Sequence, residues 1–301
     1  MASDSFCIDR RPDGGDFRGV ARARIKFDVL DRCGTEKPIR VVDFSKCTHL
    51  KPYSVACICA LAERERECRG TPPRAIPPRS VDCADHLARL DVPRFFETDW
   101  PCISERDSNL RVRRVRWPPG NEAREIVELL VSRDCLAPGV LPEMESGIDE
   151  VIRNALTHAE SGIDCIVAGQ AFDKRGKVEV AIVDLGQTVL GHLSRNPEFS
   201  SLSNDREAIF RALEEGVTGT PAGKKNIRGE HNSGAGLANL REYCESGGGE
   251  LTVLSGHHWV TCSPEGPPVT GRLSQRFGGC LVNIRYFTEE PLLPASTEPI
   301  L

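Results

Sequence analysis

Three short stretches of this 301-residue chain place chemically useful side chains at exploitable spacings. In the first, Glu150, Asn154 and His158 recur every fourth residue, so on a helix they line one face, a turn apart. A carboxylate there can orient a water, an amide oxygen can hold a hydrated Mg²⁺, and an imidazole can reach a phosphate. The same row also suits the exposed face of an ordinary helix. In the second stretch, Ala181-Ile-Val-Asp184-Leu-Gly186, an apolar run ends in an acid and then a glycine. Such an acid can accept a hydrogen bond from an exocyclic amine while the glycine lets the chain turn from a flat ring; a plain β-turn is the alternative. The third, Gly234-Ala-Gly236-Leu237, opens a helix. Glycines there expose N–H groups at the positive helix end, where phosphates bind. Without a third glycine or a Lys-Ser/Thr pair, neither a dinucleotide fingerprint nor a P-loop fits.

These residues need elements to hold them. Ile148, Val151, Ile152, Ala155 and Leu156 form one apolar stripe, predicting a helix over about 142–159 with Glu150 and Asn154 off its core face. Strands follow at 163–172 and 178–184, the second apolar enough to be buried on both faces. The polar, Gly-rich stretch 187–233 reads as a long lid with a helix at 205–215 inside it, then a helix at 235–246 and strands near 250–255 and 280–287. A helix at 121–133 precedes this block. Upstream, strand-like runs lie at 23–30 and 39–44, and helices at 54–68 and 80–90. The proline-rich segment 71–79 between those helices can be neither helix interior nor central strand. The expected organisation is an α/β domain at 18–98, a linker at 99–120 with a strand-like 111–116, a second domain at 121–288 and a tail at 289–301.

Composition excludes several classes. Lys plus Arg number 39 against 44 Asp plus Glu, a net charge of −5, so there is no general attraction to nucleic acid, although a local basic groove is compatible with it. No apolar run approaches the ~18 residues of a membrane span, and the polar start lacks a signal-peptide core, so a cytoplasmic protein is expected. The 13 cysteines contain no Cys-x-x-Cys and read as reduced thiols filling the core. Cys83 and His86 have a ligand-like spacing, but no second pair backs them, so no structural metal is expected.

The order of the three stretches resembles the GHKL ATPase superfamily over roughly residues 121–288. Glu150 and Asn154 match its N box, Asp184 and Gly186 its first glycine box, and Gly234, Gly236 and Leu237 its second. The resemblance implies a Bergerat α/β sandwich with a mixed sheet and helices on one face, binding ATP and Mg²⁺. It implies that Asn154 binds Mg²⁺, Glu150 activates water, Asp184 reads adenine, the Gly234–Gly236 amides hold phosphates, and His158 sits near them. Two departures stand out: Asp184-Leu-Gly186-Gln-Thr188 lacks the second glycine of its box, and Thr157 stands where many relatives carry Lys or Arg. Lys224, Lys225 and Arg228 in the lid are candidates for the missing charge; a solvated basic loop is the alternative. Residues ~18–98 more loosely resemble a STAS domain, with Lys51-Pro-Tyr53-Ser54 where that family carries its phosphorylated serine. The expected function is an ATP-dependent conformational switch with slow hydrolysis, acting on a protein partner through the STAS-like domain, with a homodimer as the family often forms. The alternatives are a serine or histidine kinase acting in trans and an interaction protein without nucleotide.

Overall fold

In the computed structural model the chain is mixed α/β, and residues 5–7, 38–103, 109–135, 141–157, 159–221 and 234–287 are described. A small parallel sheet holds β1 (Ser5–Cys7), β2 (Val41–Asp43) and β3 (Arg74–Ile76), in that order. Pro72, Pro73, Pro77 and Pro78 bracket β3, and an edge position suits a strand whose flanks lack N–H donors. The run expected at 23–30 lies outside the described residues.

Helix α1 (Pro52–Arg69) starts at a proline and stops at Gly70, whose left-handed conformation (φ 78°) lets its N–H reach the Arg66 carbonyl. Its centre, Val55 to Ala62, is buried on every side, at 2% exposure or less. A helix with no polar stripe there must be covered all round. Helix α2 (Val81–Arg89) is capped by Ser80, whose hydroxyl accepts from the Cys83 N–H, and a 3₁₀ helix spans Val92–Phe96.

The larger sheet contains β4 (Asn109–Val115), β5 (Cys165–Phe172), β6 (Lys177–Asp184), β7 (Glu250–Ser263) and β8 (Gly266–Phe287) in the order β4-β5-β6-β8-β7. Every pair is antiparallel. This corrects the expected mixed sheet: β5–β6 and β7–β8 are joined by connections of a few residues, which can only produce antiparallel neighbours. β7 and β8 also continue past the expected strand ends as one long hairpin. β4 covers most of the strand-like 111–116 inside the segment expected to be a linker; it is one of the sheet's two edge strands, and its Val112 N–H donates to the Leu90 carbonyl at 2.8 Å.

Helices α3 (Glu122–Val131), α4 (Leu141–Thr157) and α7 (Gly236–Ser246) cover one face of this sheet; α5 (Val189–Leu193) and α6 (Asp205–Ala212) lie in the connection from β6 to α7. The strand period of two divides the core. Val180 and Ile182 of β6 pack with Ile148, Ile152 and Leu240, whereas Ala181 and Val183 pack with the Ile58 and Leu61 side of α1. Helices therefore cover both faces, not the expected one, because α1 buries itself against the back of the sheet. Arg114 of β4 fastens this junction, donating to Glu63 at 2.9 Å and Glu67 at 2.6 Å on α1 and pairing with Asp164 at 2.9 Å. On the α1 side, buried Glu179 pairs with Lys177, and Arg285 with Glu250, each at 3.1 Å.

Among the described residues, eight cysteines are buried and none is in a disulfide. No helix among them is long and apolar enough to cross a membrane.

Because α1 is part of the sheet's own core, Ile58→Ala is expected to cost about 2–5 kcal/mol. Urea unfolding followed by circular dichroism should show one transition moved to lower denaturant. Two separate transitions, only one of them shifted, would mean that the first 98 residues fold independently of the sheet.

Candidate functional site

α4 and α7 approach closely because each offers a glycine. A Cβ on Gly147 of α4 would touch Leu240 and the Gly236 carbonyl of α7 at 3.7–3.8 Å. A Cβ on Gly236 would press on the Glu150 side chain at 2.8 Å, closer than such contacts occur. The start of α7 thus rests directly on the acidic row of α4. Gly234, two residues earlier, has φ 67°, which favours glycine, and lies against the Gly216–Val217 backbone.

Between these helix parts and the end of β6 lies a cleft enclosing about 810 Å³, its open part included. Glu150, Asn154, Asp184, Gly234, Gly236 and Leu237 all line it. Six of the residues singled out by sequence therefore share one space. His158, Lys224, Lys225 and Arg228 lie outside the described residues.

Gly186 takes a different role. Its N–H donates to Asp184 Oδ1 at 2.9 Å, and a Cβ would run into the Ala159 carbonyl at the end of α4. The Gln187 N–H donates to that same carbonyl at 2.7 Å. Gly186 does not line the cleft; it allows the β6 exit to pass close to the α4 exit, which sets the distance between Asp184 and Asn154. Thr157 is buried and its hydroxyl donates to the Arg153 carbonyl at 2.8 Å, so it turns back on its own helix. Tyr53 and Ser54 are buried at 2% and 1% exposure, which leaves neither hydroxyl open to a kinase.

Asp184 dominates the electrostatics. It is 4% exposed, and burial pushes its carboxyl up to about 7, against the opposing pull of the Gly186 and Cys280 backbone N–H groups. Near neutral pH it is poised between accepting and donating. No described Lys or Arg lines the cleft.

Sequence reasoning missed several walls. His192 and Thr218, from the segment read as a lid, line the cleft, as do Cys280 and Val282 of β8. His192 Nε2 accepts from the Gly219 N–H at 3.2 Å, and the Asn196 amide donates to the Thr218 carbonyl at 3.1 Å. No spacing in the sequence announces these ties, because they join α5 to a turn over twenty residues away.

A Mg²⁺-nucleotide fits this donor set on three observations: a helix start without a Cβ, an amide one turn from a carboxylate, and a desolvated acid at the far wall. Among the described residues no group of three or more His, Cys, Asp or Glu could hold a metal. Mg²⁺ bound through one protein ligand plus phosphates and waters needs no such group. No family model matches the chain, and no curated protein matches it either.

The Asp184 shift has a defined pH signature. Its folded value, about 7, lies above the ordinary 3.8, so the folded protein binds more protons than the unfolded chain between those values. The associated stability is fully present below about 4 and is lost as the pH rises through about 7. Asp184→Asn never charges, so its denaturant midpoint should gain on wild type between those limits. A constant difference across that range would place Asp184 in a solvated setting.

Proposed function

We propose that the chain binds Mg²⁺-ATP in the manner of the GHKL superfamily and acts as a nucleotide-dependent conformational switch with slow hydrolysis. The observation that carries this reading is the meeting of Glu150, Asn154, Asp184, Gly234 and Gly236 around one cleft, from segments separated by up to 86 positions in the sequence.

On this reading Asn154 Oδ1 would hold the Mg²⁺, which would neutralise the phosphates of the bound nucleotide. Glu150, one turn earlier on α4, would orient a water and take its proton as the water bonds to the γ-phosphorus and the bridging bond to the β-phosphate breaks, leaving ADP and phosphate. Asp184 in its ionised form accepts from the adenine amine, and the α7 start, bare of side chains at Gly234 and Gly236, lets phosphate approach the backbone. The buried Ile182 and Val282 and the half-buried Leu237 give the cleft apolar walls for the base.

Switching is supported by the sheet that both halves share. Asp184 ends β6, and Ala181 and Val183 of that strand pack with α1 on the opposite face. A ligand pulling on the β6 exit therefore bears on the core holding the STAS-like part, through which a protein partner would sense the state. A kinase acting in trans would use the same cleft.

Asn154→Ala should abolish Mg²⁺-ATP binding measured by calorimetry, since a methyl cannot ligate the metal. Unchanged affinity would remove Asn154 from the metal site. Glu150→Ala should keep binding and lose phosphate release. Incubation with γ-labelled ATP and candidate partners separates the two activities: free labelled phosphate alone supports the switch, and label on protein supports the kinase.

A further inference from the structure

A second cleft, enclosing about 780 Å³ with its open part, sits where α1, the 3₁₀ helix Val92–Phe96 and edge strand β4 meet. It shares no described residue with the cleft between α4 and α7. Its described lining holds five arginines, Arg66, Arg94, Arg113, Arg114 and Arg116, and one carboxylate, Glu63. The imbalance belongs to the lining alone: Glu67, Asp91, Glu97, Glu125 and Asp164 stand behind it and pair with four of the five arginines.

Arg114 has little to offer a ligand. It donates to Glu63 at 2.9 Å, Glu67 at 2.6 Å, Asp164 at 3.1 Å and the Gly162 carbonyl at 3.0 Å, and in doing so occupies the one lining carboxylate. The other four forks are differently placed. Arg66 makes one hydrogen bond, from Nη2 to the Phe95 carbonyl at 3.1 Å, while Glu63 and Glu97 approach it only to 3.6 Å. Arg113 makes one, to Glu125 at 2.5 Å. The Nε atoms of both Arg66 and Arg113 are buried without a hydrogen-bond partner, that of Arg66 facing Glu63 Oε1 at 3.6 Å, beyond hydrogen-bond reach. Arg94 comes no nearer than 3.6 Å to Asp91, and Arg116 is exposed.

Buried guanidinium N–H groups without acceptors carry a desolvation cost that a suitable acceptor removes. Two of them on one cleft, flanked by two more planar forks, call for a compact ligand with several negative oxygens. Phosphate groups have that geometry and charge, and arginine forks bind them bidentately. Buried Phe95 and Val112 also line this half-open cleft, so the arginines surround a short apolar patch rather than a continuous charged stripe, which suits a small molecule better than an extended strand.

We propose that this cleft binds a compact phosphate-bearing anion of pyrophosphate size through Arg66, Arg94, Arg113 and Arg116. Such a ligand bridges α1 and β4 and so clamps the STAS-like part to the sheet edge, independently of any nucleotide between α4 and α7.

The test is calorimetric titration of the full chain with pyrophosphate, in metal-free buffer at fixed ionic strength. Saturable binding is expected, weakened roughly tenfold or more in Arg94→Gln/Arg116→Gln and in Arg66→Gln/Arg113→Gln. The first double variant touches only solvent-facing side chains, so it decides the matter should the second fail to fold. Three results would overturn the proposal: no saturable heat up to ~1 mM pyrophosphate; an equal response to chloride at matched ionic strength, which marks a solvated ion-pair network; or binding undiminished in Arg94→Gln/Arg116→Gln.

Discussion

The first turn of α7 lies against the acidic face of α4, and the rest of the site follows from that contact. Gly236 permits it, since any larger residue would displace the Glu150 side chain. With the two helices held this close, Asn154 and the α7 start line one cleft, and the β6 exit forms the far wall. Gly186 sets the third side in the same way, by bringing the backbone after Asp184 against the end of α4. Both glycines act by leaving room for a neighbour. Their role is geometric before it is chemical.

The second organising fact is that one sheet serves two cores. β6 is buried along its whole length, with alternate side chains committed to opposite layers. The helices around the cleft pack on one side, and α1 with the small parallel sheet lies on the other. Asp184 and α1 are therefore mechanically adjacent, and a change at the cleft does not need a flexible tether to reach the first part of the chain. The Arg114 cluster at the sheet edge adds a polar fastening to the apolar one.

Much of this was legible in the residues. The apolar stripe of Ile148, Val151 and Ile152 located α4 and hence the row Glu150–Asn154; the double-sided run 178–184 located β6; the glycines at 234 and 236 marked a helix start. What could not be read was long-range partnership. The strand character of 111–116 was legible, but not that β4 joins the sheet, because an arginine-rich edge strand looks like part of a polar linker when the partners of Arg114 lie on α1 and at Asp164, fifty positions away. The burial of α1 on all sides looked like an ordinary helix, since alanine and cysteine suit either a core or a surface. Glu179, Arg285 and Glu250 interrupt apolar strands without warning that they pair inside the protein. His192 lines the cleft only because α5 folds back onto the turn at Gly219.

The central claim is that an adenine nucleotide occupies the cleft between α4 and α7. Photolabelling with ATP carrying an azide on its adenine ring, followed by peptide mapping, tests it most directly. The expected result is label confined to peptides holding Glu150–Asn154, Asp184–His192 and Gly234–Leu237, and suppressed by excess unlabelled ATP. Labelling that excess ATP does not suppress, or that falls only on peptides outside these segments, would contradict it.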